Sequence, residues 1–240
     1  MIIRKNEVEV SKYDLENALS VFGKKDLFED SVFFDLEHYV YKKPICIGVF
    51  GCSYYDKENN VIKVTQYMLE NRNESIEILE MAREYFKEMQ EKNKKKYIVT
   101  FSGNNDFTVI NYLFEKNNIG YDIDSYYKKI DLQREYEKVI GVNIGLKNLE
   151  KKFNIEREDN VISGSNLAKT FCKVMKDSDY MNRMPQEKKD RILLYNEQDV
   201  VSLFRIYVDW NSVVNEKLKQ EELELKKINK MNKRKPETNS

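Results

Sequence analysis

Short apolar runs separated by polar turns dominate the first part of the chain. Residues 32–37, 45–50 and 61–69 form three such runs. Apolar runs of this length with Gly, Pro or Asn nearby are typical of strands. Residues 56–60, which read DKENN, have the composition of a hairpin turn. The pattern predicts three consecutive strands that form an antiparallel meander.

Helical spacing of apolar residues replaces this pattern from residue 75 onward. The periodicity predicts a long amphipathic helix over 75–90, followed by a short strand at 97–101. A second helix from about Asp106 is followed by another short strand at 130–132. The remainder is helical, and Pro185 is well placed at the first turn of a long helix. This order predicts an α/β fold with helices around a mixed central sheet whose first three strands are antiparallel.

Composition divides the chain into three parts. We expect an N-terminal extension over residues 1–30, a main domain over 31–210 and a charged, basic helix or tail over 211–240. In the extension, apolar residues at helical spacing from Leu15 to Phe22 predict a short amphipathic helix. The tail includes KKINKMNKRK, with six basic residues and no acid. Its usual role is solubility, and contact with phosphates is the alternative.

Charge and cysteine content limit the partners that the sequence indicates. Among 240 residues, 41 basic and 41 acidic side chains cancel, so any attraction to nucleic acid is local or carried by metal. Cys46, Cys52 and Cys172 are odd in number and lack metal-ligand spacing, which favours reduced thiols. No signal-peptide pattern and no apolar window for a bilayer is evident. We therefore expect a cytoplasmic protein without membrane contact.

Two carboxylates, Asp35 and Glu37, close the first apolar run in the sequence FFDLE. Alternate side chains of a strand share a face, so the two project in the same direction. Adjacent carboxylates repel each other, and a divalent cation with a preference for oxygen, Mg²⁺ or Mn²⁺, removes that cost. A strand that ends in surface acids is the common alternative, and the pair alone does not decide between the two.

Three further side chains stand where α/β proteins often carry chemistry. Asp106 follows the strand at 97–101, at the end of the sheet, although an acid favoured by the helix dipole is the commoner case. Asp199 lies beside apolar residues of the long final helix, and Tyr195 lies one turn before it on the same face. The two residues are consistent with a hydrogen-bonded pair at the edge of the apolar face. They are equally consistent with a metal ligand, Asp199, and a hydroxyl, that of Tyr195, which point toward the same site.

In their order, these motifs resemble the tyrosine subclass of the DEDD exonuclease superfamily and, more closely, a YprB-type ribonuclease-H-like domain. The similar segments, from about residue 31 to 208, are FFDLE, ICIGVF, TFSGNNDF, KKIDL, GLKNLEKKFNIEREDNVISG and YNEQDVVSL. The resemblance implies a ribonuclease-H-like fold and a metal-dependent 3′–5′ exonuclease. Such an enzyme hydrolyses phosphodiester bonds at single-stranded DNA or RNA ends.

The resemblance also implies a role for each candidate residue. Asp35, Glu37 and Asp199 would hold one of two Mg²⁺ or Mn²⁺ ions. Asp35 would also contact the second ion, with Asp106 supporting it. Tyr195 would orient the attacking water, since an ordinary tyrosine pKa of about 10 makes it a poor base at neutral pH.

The sequence departs from the family pattern in three places. Residues 38–40 read HYV where relatives often have TTG, the turn before Asp106 is one residue shorter, and Tyr195 stands where many YprB-type domains have His. The first two departures support a second hypothesis, a catalytically inactive module that binds nucleic acid or a partner protein. An endonuclease of the same fold is a third. We interpret His38 as a strand-end residue, with substrate contact as the minor alternative, and Asp131 as a structural acid rather than a replacement ligand.

Overall fold

A mixed sheet with helices packed against it organises residues 1–158 and 162–214, which the computed structural model describes. The strands are β1 (Ile2–Glu9), β2 (Ser31–Tyr41), β3 (Lys43–Asp56), β4 (Val61–Met68), β5 (Tyr97–Thr100) and β6 (Lys128–Asp131). The helices are α1 (Glu77–Glu91), α2 (Asn104–Lys116), α3 (Ile123–Tyr126), α4 (Leu132–Ile140), α5 (Leu146–Lys152), α6 (Gly164–Lys176) and α7 (Gln186–Val208). The predicted fold class is confirmed.

Strand pairing changes direction at β2, the strand that carries Asp35 and Glu37. The order across the sheet is β1-β4-β3-β2-β5-β6. β2, β3 and β4 pair antiparallel as predicted, whereas β5 pairs parallel with β2, and β6 pairs parallel with β5. The turn predicted from DKENN joins β3 to β4, where Asp56 Oδ1 accepts hydrogen bonds from the amides of Glu58 and Asn59 at 3.1 and 3.4 Å. The antiparallel half and the parallel half therefore meet at the candidate site.

The segment before β2 differs from its predicted structure. The helix predicted from Leu15 to Phe22 is wrong: Leu15–Asn17 is a single 3-10 turn, and the backbone of Phe22 is left-handed with φ of 52°. So few apolar residues cannot offset the cost of starting a helix. Ahead of this turn, β1 pairs antiparallel with β4 at the edge of the sheet. Its mostly exposed, charged residues gave no strand signal in the sequence.

Several element ends differ from the sequence prediction. β3 extends well beyond residues 45–50 on both sides, so Pro44 and Gly51 lie inside the strand rather than at its ends. Its long antiparallel pairing with β2 overrides the local turn signals. α2 begins at Asn104, and Asp106 therefore lies in its first turn.

Alternate residues of β2 enter two different cores. Phe34 packs in one core with side chains of α1 and α2, whereas Phe33 packs in the other with Phe204 and Tyr207 of α7. Asp35 and Glu37 have the same parity along the strand as Phe33, and so they point toward the α7 side. Thus the burial of Phe33 fixes the face on which the two carboxylates appear.

The remaining expectations concern the cysteines, the membrane and the tail. Cys46, Cys52 and Cys172 are free thiols, and burial raises the pKa of Cys46 to about 12. Within the described ranges, no helix is long and apolar enough to cross a bilayer. The predicted basic tail lies outside the described residues from position 215 onward.

Candidate metal centre

Three of the predicted carboxylates converge at one point between β2 and α7. Asp35, Glu37 and Asp199 each offer one oxygen, and these oxygens all lie within 4.8 Å of one another. Asp35 and Glu37 come from alternate positions of β2, and Asp199 comes from the middle of α7. The fold therefore brings together side chains that are more than 160 positions apart in the sequence.

A buried polar chain holds α7 against the sheet beside this cluster. Asn196, which is 0% exposed, donates from Nδ2 to Asp35 Oδ2 at 3.0 Å and accepts from Gln66 Nε2 at 2.8 Å. Gly51 lies opposite Asp35 in the sheet, and a Cβ there would come within 1.9 Å of Asn196 Oδ1. The absence of a side chain at Gly51 therefore allows the close approach that places Asp199 near β2. Sequence reasoning missed Asn196, although it lies within the quoted motif YNEQDVVSL.

Burial raises the pKa of each cluster carboxyl, and repulsion from Asp35 adds to this effect at Glu37 and Asp199. Desolvation raises the pKa of Asp35 to about 6, partly offset by the Asn196 hydrogen bond. Desolvation and then the charge of Asp35 raise the pKa of Asp199 to about 8, against the opposing effect of Arg157. The pKa of Glu37 also rises well above its ordinary range, through burial and the charges of Asp35 and Asp199. The cluster therefore holds negative charge at a free-energy cost.

Asp106 lies near the cluster but is not one of the three residues whose carboxylate oxygens converge. The charges of Asp35 and Asp199 contribute, after burial, to a raised pKa of Asp106, yet it is not one of the three residues whose oxygens lie within 4.8 Å. Its Oδ1 lies 3.7 Å from His38 Nε2, and the same ring nitrogen lies 2.9 Å from Asn105 Nδ2. Burial lowers the pKa of His38, which favours the neutral ring.

His38 lies inside β2 rather than at the strand end where we predicted it, and it lines a cleft next to the cluster. The β2–β3 register shifts directly after Glu37, leaving Gly48 as an extra residue on β3. Such an irregularity twists the strands locally and redirects side chains. The Phe171 ring of α6 packs on Gly48, where a Cβ would come within 2.1 Å. A strand bulge of this kind has no clear signature in the sequence.

Tyr195 lies between two cations at the cleft. The Lys147 Nζ and Arg157 Cζ atoms lie 5.0 and 5.3 Å from its ring centroid, distances typical of cation–π contacts. Burial, followed by the charge of Asp199, raises the pKa of Tyr195 above its ordinary value. The phenol is therefore protonated at neutral pH and can donate a hydrogen bond, whereas proton abstraction by it is disfavoured.

Arg157 and Glu150 are functional candidates to which sequence reasoning gave no role. Arg157 Nη2 donates to both Glu150 Oε1 and Asp199 Oδ1, and Nε donates to Glu150 Oε2. Both residues belong to the long segment quoted for the family resemblance, which was the one available signal.

Asp131 has the structural surroundings that we predicted for it. It accepts hydrogen bonds from the amides of Ser102 and Gln133 at 3.0 Å each.

The cluster opens into a cleft of about 580 Å³ with mixed chemistry on its walls. Its lining comprises Asp35, Leu36, Glu37, His38, Phe101, Gly145, Leu146, Lys147, Asn148, Ser163, Gly164, Ala168, Tyr195 and Asp199. Three carboxylate oxygens at this separation suit a hard divalent cation. Within residues 1–158 and 162–214, no side chain donates a hydrogen bond to the Glu37 carboxylate. The donor set therefore fits a metal ion.

Comparison with known families agrees with this geometry. The RNase_H_2 family, described as part of the RNase_H superfamily, matches residues 32–211. The chain belongs to the RNase H superfamily. No curated protein matches it. RNase H-like domains generally act on nucleic acid with divalent metals, so membership indicates nuclease-type activity, and the cluster of Asp35, Glu37 and Asp199 is compatible with it.

Proposed function

We propose that the chain is a two-metal 3′–5′ exonuclease that hydrolyses phosphodiester bonds at single-stranded nucleic-acid ends. The observation that carries this proposal is the convergence of Asp35, Glu37 and Asp199 at the base of an open cleft in an RNase H-like fold. A cluster of buried carboxylates is costly in a protein without a ligand for it. The cluster is therefore best explained as a metal site.

Each residue has a role that follows from its surroundings. Asp35, Glu37 and Asp199 would hold Mg²⁺ or Mn²⁺, and Asp106 would support a second ion from the first turn of α2. Bound ions would neutralise phosphate charge and lower the pKa of water. Tyr195, protonated because burial raises its pKa, would orient the attacking water by donating or sharing a hydrogen bond. Lys147 on the cleft wall offers a positive charge to the phosphate backbone.

The test is the product pattern from 5′-labelled single strands of DNA and of RNA with Mn²⁺. We expect a ladder that shortens from the 3′ end, release of nucleoside monophosphates and no cleavage in EDTA. Asp199→Asn serves as the matched inactive control. Efficient cutting of closed single-stranded circles would instead support the endonuclease hypothesis.

One observation favours the inactive-module hypothesis. Arg157 already gives Asp199 a cationic partner, and such a contact could replace a metal in a protein that only binds. Titration with Mn²⁺ separates the two hypotheses without a substrate. An inactive module of this kind leaves Mn²⁺ unbound, whereas the nuclease binds it in a manner that depends on Asp199.

A further inference from the structure

Glu150 and Arg157 form a buried ion pair next to the carboxylate cluster. Their side chains are 2% and 4% exposed. Arg157 Nε lies 2.7 Å from Glu150 Oε2, and Nη2 lies 2.6 Å from Glu150 Oε1, so the two groups meet through two parallel hydrogen bonds. This bidentate arrangement fixes the plane of the guanidinium.

The fixed guanidinium contacts both candidate residues of α7. Nη2 donates additionally to Asp199 Oδ1, and Cζ lies 5.3 Å from the ring centroid of Tyr195. Glu150 is in α5 and Arg157 follows that helix, so the contacts join this region to α7. Nη1 is buried and has no hydrogen-bond partner among the described residues.

A purely stabilising role explains this arrangement poorly. Burying an ion pair removes both charges from water, and well-packed apolar residues are often as stable or more stable in the same place. The guanidinium also leaves one of its nitrogens without a partner, which adds to the cost. What the pair does supply is a fixed hydrogen bond to one oxygen of Asp199.

We infer that Glu150 and Arg157 are positioning residues that hold the Asp199 carboxylate in the orientation in which it binds metal. This inference rests on the proposed function. Arg157 engages Oδ1, and no described residue donates a hydrogen bond to Oδ2, so this oxygen would be available to a cation. Carboxylates that ligate metals are commonly held by such outer hydrogen bonds, and loss of these partners typically costs 10–100-fold in metal affinity or activity. Glu150 acts one step further out, by fixing the guanidinium.

The principal test is Mn²⁺ binding by the charge-matched double variant Glu150→Gln/Arg157→Gln. Because the variant loses one negative and one positive charge, the net charge near the cluster is unchanged. We expect its Mn²⁺ dissociation constant, measured by electron paramagnetic resonance, to rise about 10–100-fold. A folded double variant that binds Mn²⁺ as tightly as the wild type, or more tightly, would overturn the inference.

A second variant and a surface control complete the experiment. Arg157→Lys keeps the charge but cannot form the bidentate contact, so we expect weaker Mn²⁺ binding here too. This variant decides the question if the double variant does not fold, and wild-type affinity in it would overturn the inference. Asp177→Asn/Arg183→Gln removes a more exposed ion pair and should leave Mn²⁺ affinity unchanged. If the wild type itself binds no Mn²⁺, the proposed function fails and the inference fails with it.

Discussion

Helices α7 and α2 each contribute an aspartate at the candidate site, and the two carboxyls lie in different settings. On the α7 side, Asp199 accepts a hydrogen bond from Arg157, and Asn196 next to it ties the helix to Asp35. On the α2 side, the nearest basic group to Asp106 is His38, at 3.7 Å, and burial lowers the pKa of that imidazole. Among the described residues, the α7 carboxylate thus has a cationic partner, whereas Asp106 faces an imidazole whose neutral form is favoured.

This difference shows which part of the site the protein organises before any ligand binds. Asp35, Glu37 and Asp199 are held close together by contacts of the fold itself. Asp106 is about as buried as Asp199 but, among the described residues, lacks the hydrogen bond from a cation that Asp199 receives, so its final position depends more on what binds beside it. We therefore expect substitutions on the α7 side to have larger effects than equivalent ones on the α2 side.

Replacing each carboxylate by its amide tests the comparison most directly. Asp199→Asn removes a charged ligand from the organised cluster, and we expect Mn²⁺ binding to fail and nuclease activity to fall by at least about 10³-fold. Asp106→Asn should leave one Mn²⁺ bound and reduce activity by roughly 10–100-fold. Equal losses of Mn²⁺ in the two variants would show that the two sides are not organised differently.

Tyr195→Phe separates the hydroxyl from the ring on the organised side. The phenyl ring keeps its contacts with Lys147 and Arg157. We expect unchanged Mn²⁺ affinity and a single-turnover rate lowered by about 10²–10⁴-fold, the range for a group that aids proton transfer. A structural tyrosine would give the opposite pattern, with full activity and a stability loss of about 0.5–1.5 kcal/mol.

Gly51→Ala tests the close approach of α7 to the sheet. A Cβ would meet Asn196 Oδ1 at 1.9 Å, so either Asn196 must leave its hydrogen bonds with Asp35 and Gln66, or α7 must shift and move Asp199 away from Asp35. A displacement of about 1 Å can cost roughly 10²-fold in rate, and overpacking of a core costs about 1–3 kcal/mol of stability. Gly120→Ala is the control, because nothing lies within 4 Å of the new Cβ there. Activity and thermal melts are measured on both variants. Wild-type activity and stability in Gly51→Ala would show that the close approach of α7 at Gly51 is not needed.

The smallest effect that we expect is the pH dependence of stability without metal. In the unfolded chain, aspartate carboxyls lose their protons near pH 4. In the folded protein, burial raises the pKa of Asp35 to about 6 and that of Asp199 to about 8. The folded state binds more protons across this window, so the free energy of unfolding decreases as the pH rises from about 4 to 8.

Thermal melts in EDTA measure this decrease. We expect the melting temperature to fall as the pH rises from 5 to 8, because the folded protein must then hold deprotonated carboxyls that burial disfavours. Asp35→Asn/Asp199→Asn should flatten the dependence. An equally steep decrease in that double variant would assign the effect to groups other than Asp35 and Asp199, such as Glu37.

Sequence reasoning identified much of the site because its main signals are local. The alternation in FFDLE placed Asp35 and Glu37 on one face of a strand. The helical spacing placed Tyr195 and Asp199 on one face of the last long helix. The same logic failed at residues 15–22, where apolar spacing alone did not produce a helix. It also missed β1, which depends on pairing with β4 at the sheet edge and has little apolar pattern of its own.

The sequence by itself determined the mixed α/β architecture, and it made Asp35, Glu37, Asp106 and Asp199 candidate ligands, of which the structure brings three together. Tertiary structure decided how these groups are supported: Asn196 reaches Asp35 across 161 positions of the chain, and Gly51 matters only because Asn196 lies against it. Arg157 likewise acquires its role from Glu150 and Asp199 together. Periodicity reports which face of an element is buried. Hydrogen bonds between elements depend instead on distances that exist only once the sheet and α7 have packed, and for that reason no local pattern predicted them.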